Sequence, residues 1–151
     1  DIGNRFDAYH KGLEFTTKHH WGKSNLLTFN YTYQLLSSPF ISLATGTNYS
    51  ETMPRNMISA LYSSTDANGL AFSLGYYQQD AVLAIDRPDY DRQQLTRRMD
   101  IKLAKQFKLG HAESEAEIAW VVQGLFDGNY IEYMDSNVFN RRTYLTATIT
   151  Y

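Results

Sequence analysis

His19, His20 and Trp21 adjoin in the chain, and Ser24 follows shortly after. Two neighbouring imidazoles suggest a metal ion or a general base. On an extended strand, adjacent side chains point to opposite faces, so the pair cannot hold one ion without distortion. Polar filling at an interface accounts for them better. Ser24 near His20 is the best nucleophile and base that the spacing offers, and it is a poor one. His111 lies in a tight turn with no partner close in sequence. Glu113, Glu115 and Glu117 recur at every second position and could attract a cation. Lys102 and Lys108 on the preceding segment make a ladder of charge pairs the more economical account. Neither a glycine-rich phosphate loop nor a nucleophile elbow nor a metal-spaced His pair occurs. The expectation is a chain with no catalytic residue, no metal site and no cofactor.

Two further clusters mix charge with aromatic rings. One is Asp86-Arg87-Pro88-Asp89-Tyr90-Asp91-Arg92, and the other contains Tyr130, Glu132, Tyr133 and Asp135. Such segments could hold a small molecule by hydrogen bonds and stacking. They could equally be solvated loops or touch lipopolysaccharide. Asp86, Arg87, Asp89, Tyr90, Arg92, Tyr130, Glu132 and Tyr133 are the candidate ligand-contacting residues.

The elements that must position these groups read as strands. Period-two alternation marks about seven segments of roughly 10 residues, near the length of a tilted membrane-spanning strand. The first places Leu13, Phe15, Thr17, His19 and Trp21 on one face, and the second Leu27, Phe29, Tyr31 and Tyr33. A third runs through Ile58, Ala60 and Tyr62, although Met57 and Leu61 compete for the same face. Leu70, Phe72, Leu74 and Tyr76 mark the fourth; Met99, Ile101, Leu103 and Phe107 the fifth; Ala116, Ile118, Trp120 and Val122 the sixth. The seventh alternates from Thr143 to Tyr151, with Leu145, Ala147, Ile149 and Tyr151 on one face.

Connections alternate in length. Gly22-Lys23-Ser24, Thr65 to Gly69 and Gly110-His111 are short and rich in turn formers. Between them lie Leu36 to Met53, Ala81 to Leu95 and Leu125 to Asn140. If Gly110-His111 is a two-residue turn, Leu109 pairs with Ala112, Leu103 with Ile118, Ile101 with Trp120 and Lys108 with Glu113. Lys105 alone then points outward, where its stem could snorkel toward headgroups.

Composition narrows the classes. The chain has 151 residues, 43% hydrophobic, 20% charged and 15% aromatic, with 12 Tyr and no Cys. No run approaches the roughly 18 apolar residues of a membrane helix, which leaves barrels open because a barrel strand shows lipid only every second residue. A net charge of −2 without long runs of one sign gives no indication of a nucleic-acid partner. Absent cysteine excludes disulfides and thiolate chemistry. A start at Asp1, without Met, reads as a mature or excised segment.

The last strand resembles the C-terminal signature strand of bacterial outer-membrane proteins, with Tyr151 where Phe is commoner. Longer matches follow. Asn4 to Glu14, with its Lys11-Gly12-Leu13-Glu14, is similar to a late barrel strand of TonB-dependent outer-membrane receptors. Asn30-Tyr31-Thr32-Tyr33 resembles the end of the next strand. Met53-Pro54-Arg55-Asn56 resembles the element opening the strand after the following long loop, with Met53 in place of a small residue. Order and spacing agree over essentially the whole chain, though each motif is short.

The resemblance implies an all-β, antiparallel up-and-down transmembrane barrel of 22 strands, of which residues 1–151 would form the C-terminal portion. The N-terminal plug domain would lie outside this chain. It further implies a receptor that binds a scarce nutrient (iron chelate, cobalamin, sugar or similar) at extracellular loops. Import would draw on a TonB-type inner-membrane complex acting through the plug, and the barrel would sit in outer-membrane lipid and lipopolysaccharide. Seven strands fit a part of a larger barrel, since single-chain bacterial barrels have even counts. The alternatives are a complete barrel of about eight strands, as a lipid-acting enzyme or structural protein, and a soluble barrel with its apolar face inward.

Overall fold

Alternating apolar and polar side chains, rich in Tyr, Phe, Thr and Ile, favour a pleated, half-covered backbone over a helix. The computed structural model describes residues 7–39, 41, 48–83, 92–93, 95–110, 114–126, 129–131 and 138–151, with backbone alone at 92–93, 129–131 and 138–139. Its long strands are β1 (Tyr9–Trp21), β2 (Asn25–Ser37), β3 (Asn56–Thr65), β4 (Leu70–Gln79), β7 (Thr96–Lys108), β8 (Glu115–Gln123) and β11 (Arg142–Thr150). Short strands β5 (Val82–Leu83), β6 (Arg92–Gln93), β9 (Asn129–Ile131) and β10 (Val138–Asn140) lie in the long connections.

The seven long strands form one antiparallel sheet in the order β1-β2-β3-β4-β7-β8-β11, each beside the next long strand of the chain. Among the described residues the sheet is open, with β1 and β11 paired on one side only. No α-helix occurs among them, and one 3-10 turn covers Tyr49–Glu51. The fold is an all-β meander in a single layer. Among the described residues the buried hydrophobic ones are only Ala104, Ala119 and Val122, and no second layer of described residues closes a core against either face.

Turn chemistry sets one end of the sheet. Gly22 has φ 63 between β1 and β2, and Gly69 has φ 78 between β3 and β4. The Asp66 carboxylate accepts from the Asn68 amide at 2.9 Å and the Leu70 amide at 2.7 Å, a side chain standing in for backbone.

The β7–β8 hairpin differs from the two-residue turn expected at Gly110-His111. The Leu109 amide donates to the Ser114 carbonyl at 2.9 Å, and Lys108 pairs with Glu115, Leu103 with Trp120 and Ile101 with Val122. The register is thus two residues further along β8 than expected. A two-residue slip leaves every side chain on its original face, so hydrophobic facing could not distinguish the two registers. The observed one places Glu117 opposite Gln106 and 2.6 Å from the Lys102 ammonium.

The opposite end carries the long connections, and two of them contain short ribbons. Val82 and Leu83 pair with Gln93 and Arg92, and residues 129–131 pair with 138–140. Neither ribbon was evident from alternation, because two or three residues do not establish a period.

Candidate functional site

Register brings all seven apolar stripes to one face. Leu13 pairs with Tyr33, Phe15 with Tyr31, Tyr31 with Ile58, Ala60 with Tyr76, Tyr76 with Met99 and Leu103 with Trp120. Leu145, Ala147 and Ile149 complete it opposite Trp120, Ile118 and Ala116. The competition on β3 is decided in favour of Ile58, Ala60 and Tyr62, which face the apolar side, while Met57 and Leu61 face away. This face is uncovered: Leu145 is 73%, Ile149 65% and Leu13 65% exposed. A monomeric soluble surface rarely shows so extended an apolar area.

Aromatic side chains pack along it. Trp21 stacks on Tyr62 at 5.7 Å and on His19 at 5.4 Å, while Tyr62 meets Phe72 at 6.2 Å. His19 belongs to this stack and His20 falls on the other face, as strand alternation requires. The Trp120 indole donates to the Thr143 hydroxyl at 2.8 Å within the same face.

Along the long strands every carboxylate lies on the opposite face, as do most of the cations. Arg98 holds Asp100 through two contacts, at 2.9 and 2.7 Å, and the Gly124 amide donates to the same carboxylate. Lys102 pairs with Glu117 at 2.6 Å. Lys105 faces outward, as alternation indicated. Its ammonium bends to the Asn68 carbonyl in the β3–β4 turn, so a turn group within the sheet receives it.

The apolar band is oblique to the strands. Trp21, the last apolar residue of β1, lies on the same hydrogen-bonded rung as Leu145, the first apolar residue on that face of β11. From Leu13 to that rung is about 27 Å along the strand, and six strand spacings cover about 29 Å, which gives a slant of about 43°. Aromatic residues mark both edges, with Tyr31, Tyr33 and Tyr76 toward the long connections and Trp21, Phe107 and Tyr151 toward the turns.

At the loop-bearing end a cavity of about 570 Å³ opens between Ser50, Glu51, Met53, Arg55, Asp80, Ala81 and Leu95. A polar network fixes its wall. Asp80 accepts from the Asn56 amide at 3.0 Å and side chain at 2.6 Å, and Tyr31 donates to Asn56 Oδ1 at 2.7 Å. Gln34, 8% exposed, donates to the Pro54 carbonyl at 2.9 Å and meets the His10 ring at 3.1 Å. Two carboxylates, a guanidinium and three apolar side chains equip this cavity for a small ligand of mixed polarity. Glu51, Arg55 and Asp80 did not stand out in the sequence, because their proximity depends on β2–β3–β4 register rather than on spacing.

Of the residues read as ligand-contacting, Asp86, Arg87, Asp89, Tyr90, Glu132 and Tyr133 lie outside the described residues. Arg92 and Tyr130 fall in the backbone of β6 and β9. His111 and Glu113 also lie outside. Among the described residues no three His, Asp or Glu side chains gather as metal ligands. Compared with protein-family models, curated proteins and solved structures, the chain matches none.

Proposed function

We propose that this sheet is a section of the wall of a transmembrane β-barrel in the bacterial outer membrane, with its apolar face toward lipid. The observation that carries the reading is the oblique apolar band. A barrel tilts its strands by 35–45° to its axis, so a hydrocarbon slab cuts them at that slant. The band's slant of about 43° is the one such a slab requires. The aromatic edges fit interfacial girdles, and the charge pairs of the other face fit a polar interior. Open edges on β1 and β11 would be unsatisfied in lipid, so further strands complete the wall.

Within that reading we assign the barrel to a TonB-dependent receptor, on the likeness of Lys11 to Glu14, Asn30 to Tyr33 and Met53 to Asn56. Such a protein takes up a scarce nutrient from its extracellular side, driven through a plug by an inner-membrane complex. The mixed-polarity cavity at the loop-bearing end supports a small-molecule ligand on that side.

The test is the size and location of the native polypeptide, followed with an antiserum against residues 81–95 in fractionated cells. A band several times heavier than 17.4 kDa in the outer membrane is expected. A 17.4 kDa outer-membrane band would favour a small complete barrel, and a soluble band would turn the apolar face inward. Deleting residues 81–95 should abolish uptake while leaving assembly intact.

A further inference from the structure

Along the seven long strands the apolar face carries three charged residues, all cations: Lys11, Arg97 and Lys105. Lys105, near the turn-side edge, is engaged by the Asn68 carbonyl close to the Asp66 carboxylate. Arg97 stands at the loop-side edge, one alternation step beyond Met99. It is the partner of Gln78 in register, and among the described residues no hydrogen bond or ion pair joins it to another. Arg141 lies one step beyond Thr143, is exposed, and gives one nitrogen to the Leu125 carbonyl at 3.1 Å, with no carboxylate partner among the described residues. The Phe126 ring, 52% exposed, meets Tyr76 edge-on at 6.3 Å across β7, where Tyr76 pairs with Met99, one alternation step from Arg97.

The two edges therefore differ. The turn-side cation lies beside a carboxylate, whereas the loop-side guanidiniums, at the boundary of an apolar surface, have no carboxylate partner among the described residues. Guanidinium matches phosphate bidentately, and cations flanking a hydrocarbon-facing surface attract anionic headgroups. Arg97 and Arg141 stand two strand spacings and about two residues apart, about 12 Å between backbones. That separation exceeds the width of one phosphate and suits a headgroup with several.

We propose that Arg97 and Arg141, flanking the Tyr76–Phe126 ring pair, bind the headgroup of a glycolipid bearing more than one phosphate, with its acyl chains along the apolar face. The inference rests on the membrane-spanning reading above and adds a lipid site to it.

The test uses the full-length protein that carries this sequence. It is incorporated into phosphatidylcholine vesicles containing either bisphosphorylated lipid A or phosphatidylglycerol, with resistance to urea extraction reporting insertion separately. The wild type should retain lipid A in preference to phosphatidylglycerol. R97Q/R141Q should weaken retention on the order of thirtyfold, each single change roughly fivefold, and K105Q should leave it unchanged. The single variants decide the matter if the double variant does not insert. An inserted double variant that holds lipid A like the wild type would overturn the site, as would equal retention of both lipids by the wild type. A wild type that urea extracts from vesicles would overturn the membrane-spanning reading itself.

Discussion

Asp66 shows how one carboxylate organises a turn. Its hydrogen bond from the Leu70 amide is the largest influence on its ionisation. The Asn68 groups and the Lys105 charge act in the same direction, and desolvation opposes them. The carboxyl is held below its ordinary value of 3.8. Because the folded state favours the charged form, the turn's stabilisation is fully present above the ordinary value and is lost as pH falls through the depressed one. Hydrogen-exchange protection of the Leu70 amide should therefore stay level down to the ordinary carboxylate range and fall only below it. Asp66→Ala should remove both the protection and its pH dependence. Exchange that ignores pH in the wild type would show that the backbone alone closes the turn.

Between elements, the fold is fixed by register and by a few backbone positions. Gly69 combines φ 78 with a site where a Cβ would stand 2.9 Å from the Gln106 carbonyl oxygen. Gly69→Ala should cost about 1–2 kcal/mol from the left-handed backbone alone, with the β7 contact adding to it. Gly75→Ala, where nothing lies within 4 Å, should be close to neutral. Urea midpoints in lipid micelles would separate the two. What was legible in the sequence follows the same division. Facing was readable for Leu13 to Trp21 or Leu70 to Tyr76, because alternation is a local property of the backbone. The β7–β8 register was not, since a two-residue slip leaves that pattern untouched and only contacts between the strands, such as Lys102–Glu117, distinguish it. The polar network of Tyr31, Asn56 and Asp80 needs three strands in register before its members meet, so no local spacing announces it. Lys105 was readable as outward but not as a turn ligand, because Asn68 is brought to it by β4–β7 pairing.

For the molecule as a whole, the uncovered face decides the environment. Leu103 is 41% exposed on that face, while Ser73 pairs with Lys102 on the other. In lipid, Leu103→Arg should destabilise by about 2–4 kcal/mol, whereas Ser73→Arg should change little. Equilibrium unfolding from vesicles would measure both, and a neutral Leu103→Arg would mean that water, not hydrocarbon, covers the apolar face. The slanted band has a further consequence for the two indoles. Trp21 and Trp120 share one rung, five strand spacings apart, yet a slab crossing the sheet at this slant puts them at depths differing by about 16 Å. Trp21 would sit at the turn-side boundary of the band, and Trp120, one strand spacing from Leu145, just inside its loop-side boundary. An indole N–H facing hydrocarbon must find its acceptor in the protein, which is what the 2.8 Å bond to Thr143 provides for Trp120. Fluorescence from variants keeping only Trp21 should be quenched by shallow labels confined to one leaflet, and that from Trp120 by shallow labels confined to the other. Two indoles on one hydrogen-bonded rung would then report opposite leaflets.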